Sequence, residues 1–195
     1  LAIYFLLVLV IQFIVNSSVI ASACGGNITE NMGAAGVFTF LPWTLMFGVI
    51  IVILTIYPGF KSAFSDVIGY FWVSSSATKV LTELLVNQDI QPKIDGDASL
   101  TPEKKKEMQS AADTIVKICG NTSILINQIV PENFNDYWNI LKPLMKPQYQ
   151  TDSVETSGIR GQLFDLVVTR DNVGEFMWYL YTGLLLISIV QLKIT

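Results

Sequence analysis

The stretch Val37–Tyr57, VFTFLPWTLMFGVIIVILTIY, contains no charged side chain. Wound as a helix rising about 1.5 Å per residue, it reaches about 30 Å, the thickness of the hydrocarbon core of a bilayer. A charge-free segment of that length predicts a transmembrane helix. Pro42 falls within its first two turns, where a missing N–H disturbs a helix least. Trp43 and Tyr57 stand near its two ends, as rings anchored at the membrane–water interface do.

Two more stretches share this character. Leu1–Ala23 and Phe176–Leu192 are also without charge, and all but Glu30 and Lys193 of the 28 charged residues fall in Pro58–Glu175. The whole chain of 195 residues is 51% apolar and 14% charged, against about 25% charged in an ordinary soluble domain. The reading is therefore mostly α: two or three transmembrane helices plus a small helical extramembrane domain. Its segments are 1–23, a short connection 24–36, 37–57, the domain 58–175, and a third span at 176–192.

In the first span, Gln12, Asn16, Ser17 and Ser18 weaken the second half and mark an exit into the headgroups. Ala21-Ser22-Ala23 before Cys24 has the small-residue form of a signal-peptide cleavage site, but an uncleaved span is the preferred reading. Leu1 already lies inside the apolar run, so the chain reads as part of a longer protein. The last stretch is at the lower limit of length for spanning, and a buried core helix is the competing reading. Trp178, Tyr179 and Tyr181 at its start and Lys193 at its end favour the span, with rings at one interface and a snorkelling amine at the other.

Orientation follows from Lys and Arg near span ends. Lys61, Arg160 and Arg170 border the long segment, whereas Cys24–Gly36 has neither residue type. The long segment is thus expected on the cytosolic side and the hairpin connection on the other. Gly33-Ala34-Ala35-Gly36 within that connection reads as a flexible turn.

The polar domain reads as helical. From Asp66 to Val86, apolar residues recur at three- and four-residue steps, and the aromatic start Tyr70-Phe71-Trp72 suits the membrane surface. Thr101 as N-cap with Pro102 behind it predicts a helix to about Cys119, ended by Gly120. Asn87–Leu100 is the connecting loop. Shorter helices are expected at Ser123–Val130, Asn133–Leu141 and Gly158–Val168, separated by Pro131, Pro143 and Pro147. Lys146–Ser157, poor in apolar residues, reads as an exposed loop or an arm that orders against a neighbour.

The inventory of reactive groups is thin. Without a single histidine, the commonest general base, the usual serine and cysteine triads and the commonest zinc ligand are all missing. There is no glycine-rich phosphate loop. The net charge of −4 argues against a nucleic-acid partner, and the short basic run Lys104–Lys106 is flanked by Glu103 and Glu107, as in a solvated helix face. Pairs such as Asp95/Asp97 and Asp165/Asp171 lack a third ligand at metal-loop spacing. Cys24 and Cys119 fall on either side of the second span, so no disulfide is expected within the chain. Neither an enzyme nor a cofactor or metal site is expected. The spans carry no ionisable residue of the kind that marks transport pathways, so they read as anchors, and Gly48 and Gly183 read as ordinary membrane-helix glycines.

Of the triplets starting at Asn16, Asn27 and Asn121, only Asn27 suits glycosylation in this topology. Tyr70, Trp72, Tyr137 and Trp138 are candidate membrane or partner anchors, with packing in the domain's own core as the competing reading.

Two stretches, Trp72–Leu85 (WVSSSATKVLTELL) and Met177–Gly183 (MWYLYTG), resemble segments of transmembrane minor capsid proteins of nucleocytoplasmic large DNA viruses such as the chloroviruses. The resemblance covers these two motifs and the general layout. It implies a component of a large icosahedral virion, held in the inner membrane and touching the capsid shell through its polar domain. No catalytic residue carries over. Expected partners are the lipid bilayer and other capsid or membrane proteins, a second copy included. An accessory or assembly subunit of a cellular organellar membrane complex is the alternative.

Overall fold

The structure, a computed structural model, describes residues 1–85 and 121–194. The expected loop Asn87–Leu100, the helix Thr101–Cys119, the basic run Lys104–Lys106, Asp95, Asp97 and Cys119 lie outside the described residues. The described residues fall into two compact units, 1–64 with 174–194, and 65–85 with 121–173. They contain six helices and no strand: α1 (Ala2–Cys24), α2 (Ile28–Ile56), α3 (Tyr70–Leu84), α4 (Thr122–Gln128), α5 (Phe134–Leu141) and α6 (Val154–Ile194). Three of them, α1, α2 and α6, are long and apolar enough to cross a membrane.

The first unit is a bundle of α1, α2 and the C-terminal part of α6. Its pairings give the directions. Phe5 lies against Phe47 with ring centroids 5.1 Å apart, and Phe13 lies against Phe40 at 5.7 Å. Rising numbers on α1 meet falling numbers on α2, so the two form an antiparallel hairpin. Tyr4 meets Phe176 at 6.2 Å, and Asn16 bonds Gln191, so α6 runs parallel to α1. On α2 the buried residues Ala35, Thr39, Trp43, Phe47, Ile50 and Leu54 recur at three- and four-residue steps, the stripe that one helix face presents to its neighbours.

Helix α2 starts nine residues before the expected boundary. The expected connection 24–36 shrinks to Gly25, Gly26 and Asn27. The cause is a cap: the Asn27 N–H donates to Glu30 Oε2 (3.4 Å), while Asn31 Nδ2 donates to the Gly25 and Asn27 carbonyls (3.1 and 3.2 Å). These bonds occupy groups that a helix end otherwise leaves unpaired. Gly25 and Gly26 turn the chain at φ of 77° and 85°, a region that side chains disfavour. Gly33–Gly36 therefore lies inside a helix and is no turn, and Pro42 lies deep within α2 rather than in its first turns.

In the second unit, α3 buries Val73, Ala77, Val80, Leu81 and Leu84, close to the expected stripe. It is preceded by a π-helical turn, Ser65–Gly69. Packed with these residues are Leu125 and Ile126 of α4, Phe134, Trp138 and Leu141 of α5, and Ile159, Leu163 and Val167 of α6. Helices α4 and α5 fall within two residues of the expected bounds.

Two expectations are refined. Lys146–Ser157 is exposed along most of its length, as expected of a loop, but it is pinned at Tyr149 and Thr156, which are buried, and the Lys146 N–H donates to the Leu84 carbonyl (3.0 Å) beside a short antiparallel bridge that joins Leu85 to Met145. One large ring supplies the burial that the segment's composition hides. The helix expected at Gly158–Val168 runs without a break into the last apolar stretch, because no proline stands between Val154 and Ile194 and a single Gly174 costs a helix only about 1 kcal/mol.

Candidate functional site

The outer surface of the bundle is its first distinguishing feature. Of the most apolar window in each long helix, only 28% of residues in α1 and α2 and 33% in α6 are buried within the chain. Ile3, Leu6 and Val10 of α1, Val37, Leu41, Leu45 and Val49 of α2, and Leu184, Leu185 and Ile189 of α6 all face outward. Helices apolar on every side need apolar surroundings on the side their neighbours leave open.

At one end of the bundle stands an aromatic and ionic node. The Trp178 ring stacks on Phe60 at 4.5 Å, meets Phe64 edge-on at 4.9 Å, and its Nε1 donates to the Phe60 carbonyl (3.0 Å). Lys61 Nζ pairs with Glu175 Oε2 at 2.9 Å, and Tyr179 Oη donates to Glu175 Oε1 at 2.9 Å. Burial pushes the Glu175 carboxyl up, but the bonds from Lys61 and Tyr179 and the charge of Lys61 outweigh it and hold the group below its ordinary value.

Inside the bundle, one polar side chain from each helix joins a chain of hydrogen bonds. Gln191 Nε2 donates to Asn16 Oδ1 (3.0 Å), and Asn16 Nδ2 donates to Thr39 Oγ1 (2.9 Å). Ser17 Oγ donates back to the Phe13 carbonyl (2.7 Å). Gln12, Asn16 and Ser17 are thus buried against the other helices rather than leaving for the headgroups; Ser18 alone of the four is exposed. Neutral amides and hydroxyls bonding across helices are how polar groups persist in apolar surroundings.

The predicted anchors divide. Trp43 is fully buried and stacked on Phe47 at 5.3 Å. It is a core residue and no interfacial ring, because α2 begins early enough to carry it to mid-helix. Tyr179 is buried beside Phe47, and Trp178 is half-buried in the node. Trp138 is buried in the second unit beneath the Arg160 guanidinium, 5.7 Å from the ring centroid, while Tyr70 and Tyr137 are half-buried against the same core. For these three, core packing is what the structure displays. Tyr57 and Trp72 are the exposed members. Asn27 is exposed but tied into the capped start of α2.

Several contacts escaped sequence reading. Gly183 lies where a Cβ would come within 2.6 Å of Tyr4 Oη and 3.5 Å of Trp43, so it admits close packing and is not incidental. Arg170, read as a topology marker, is fully buried. Its Nη1 donates to the Ile126 carbonyl and, at 3.4 Å, to Asn127 Oδ1, while Asn127 Nδ2 donates to the Asp66 carbonyl (3.0 Å). Burial pulls the Arg170 guanidinium below its ordinary value, and the charges of Asp66 and Asp171 oppose that; a guanidinium keeps its proton in proteins. Only the tertiary fold could reveal this, since nothing in the spacing distinguishes Arg170 from a surface arginine.

An open groove of about 440 Å³ lies between α5 and α6, lined by Phe134, Asn135, Arg160 and Phe164 among others, with Arg160 Nη2 donating to Asn135 Oδ1 at 2.8 Å. It offers no nucleophile paired with a base. Among the described residues no three His, Cys, Asp or Glu side chains gather as a metal site. Asp165 is exposed whereas Asp171 is buried, and Cys24 is a free, exposed thiol. Asn121 caps α4, its Oδ1 accepting from the Ile124 N–H (3.4 Å). No protein-family model, curated protein or solved structure matches this chain.

Proposed function

We propose that the chain is a non-enzymatic structural membrane protein that ties a viral capsid shell to the inner membrane of the virion. The observation that carries the membrane part is the outward-facing apolar surface of α1, α2 and α6, set against a second unit whose exposed helix faces carry Lys79, Glu83, Asp136, Arg160 and Asp165. The bundle has the surface of an anchor, and the second unit has that of a body in water.

The capsid part rests on the resemblance of Trp72–Leu85 and Met177–Gly183 to minor capsid proteins. Both stretches are structural in their units. The first builds most of α3 and one wall of the second core, and the second carries Trp178, Tyr179 and Gly183. Its partners in this reading are lipid and shell proteins, with a second copy among them, and no nucleic acid or cofactor.

Purification of the detergent-solubilised protein with its bound neighbours, followed by mass spectrometry, tests this. Capsid proteins in repeated, stoichiometric amounts are the expected result. Recovery of one copy with the subunits of an organellar enzyme complex would overturn it in favour of an accessory or assembly role.

A further inference from the structure

Two polar atoms inside the bundle have no hydrogen-bond partner among the described residues: Gln12 Oε1 on α1 and Trp43 Nε1 on α2. Both side chains are deeply buried, at 6% and 0% exposure. A donor or acceptor shut away from water and left unpaired loses its hydration and gains no bond. Here one orphan is an acceptor and the other a donor.

Their heights in the bundle bring them together. Asn16 of α1 bonds Thr39 of α2 at 2.9 Å. Gln12 stands four residues before Asn16 and Trp43 four residues after Thr39. Because the two helices are antiparallel, both steps run the same way along the bundle, by about 6 Å. Residues four apart share a helix face, so Gln12 and Trp43 occupy one level on the two faces that Asn16 and Thr39 already join. Side chains lean toward the N-terminal end of their own helix, and across an antiparallel pair the longer ones lean apart. The indole is also pinned: its ring stacks on Phe47 at 5.3 Å, and its far edge lies 3.5 Å from where a Cβ at Gly183 would stand. A complementary pair at one level but out of bonding reach is what a bridging water joins.

We propose that one water molecule is held between α1 and α2, accepting from Trp43 Nε1 and donating to Gln12 Oε1. Thr39 lies on the side toward which the indole leans; its hydroxyl accepts from Asn16 and keeps its own proton to donate, as a third partner. About three partners is usual for a buried water. Water can donate to an amide oxygen or accept from an amide nitrogen, so it satisfies either orientation of the Gln12 amide, whereas a direct bond to the indole serves only one. The polar chain of Gln191, Asn16 and Thr39 is thereby extended by a further turn of the hairpin. The site depends on how α1 packs against α2 and not on what surrounds the bundle.

Nuclear magnetic resonance of the full chain, 15N-labelled in deuterated detergent micelles, tests this. The Trp43 indole signal is assigned by its loss in Trp43→Phe. A rotating-frame Overhauser cross-peak of negative sign between the Trp43 indole proton and water is the expected result, and Gln12→Leu should abolish it. The Trp178 indole, bonded to the Phe60 carbonyl at 3.0 Å, should keep its shift in that variant and so reports an intact bundle. A cross-peak from the Trp43 indole to the Gln12 side-chain protons, with none to water, would overturn the proposal in favour of a direct bond. Absence of both would overturn it outright, as would a water cross-peak that survives Gln12→Leu. Should Gln12→Leu fail to fold, the unaltered chain decides by itself.

Discussion

The two units solve the problem of a buried polar group in opposite ways. The bundle buries a neutral amide and a hydroxyl, Asn16 and Thr39, and links them to the half-buried amide of Gln191, each drawn from a different helix. The second unit buries a full guanidinium, Arg170, against the Ile126 carbonyl and Asn127 with Asp66 and Asp171 nearby. A charge within a hydrocarbon layer is far more costly than an amide, whereas a water-soluble core tolerates one when neighbouring dipoles and carboxylates compensate. In the membrane reading proposed above, the kind of polarity that each unit hides accords with its surroundings, as does the surface that it shows.

The contrast can be broken at several points. The largest effect is expected in the second core: Trp138→Ala removes a buried ring and should cost about 3–5 kcal/mol, read as a lower urea midpoint by near-ultraviolet circular dichroism of the full chain in micelles. Next comes a paired test of the two outer surfaces. Leu45→Lys places a charge on the outer face of α2 and should disfavour membrane insertion by about 2.5–3.5 kcal/mol. Ile140→Lys, at an equally exposed apolar position on α5, should shift stability by no more than about 0.5 kcal/mol. Equal behaviour of the two in a glycosylation-tagged insertion assay would erase the distinction between the units.

Smaller effects sharpen it. Asn16→Ala should weaken the bundle by roughly 0.6–2 kcal/mol, and Gln191→Ala added to it should cost little more, because both belong to one hydrogen-bond chain. Denaturation in mixed micelles checks this, and full additivity would argue against the chain of bonds. The Lys61–Glu175 pair is partly open to solvent, so its worth is expected to stay below about 1 kcal/mol. The Glu175 carboxyl is held below its ordinary value in the fold. The pair therefore contributes in full above the usual glutamate range and is lost as pH falls through the depressed value. Glu175→Gln should remove that acid-side loss from a pH series of melting temperatures.

Much of this fold is legible in the sequence, because hydropathy and helical spacing are local. The three apolar helices and the stripe of α3 follow from them directly. The start of α2 was misplaced because absence of charge marked the boundary, although Asn27 and Glu30 stand three apart as a capping pair does. That error carried Trp43 to a false interface. Continuity of α6 does not follow from the expected helix Gly158–Val168 and span Phe176–Leu192, because the polar stretch Thr169–Glu175 divides them in hydropathy, and only the fold buries its Arg170 and Asp171. Of the candidate anchors, exposure separates Tyr57 and Trp72 from Trp43, Trp138 and Tyr179, and side-chain exposure depends on the whole fold rather than on neighbours in the chain.

The three-residue turn Gly25, Gly26 and Asn27 has a consequence for biogenesis. In the membrane reading proposed above, so short a link leaves no length of chain by which α1 could settle in a bilayer ahead of α2, so the pair is expected to enter as a single hairpin. A lesion that stops either helix from partitioning would then strand both, and the cell's quality control would meet the loss of two spans from one altered residue.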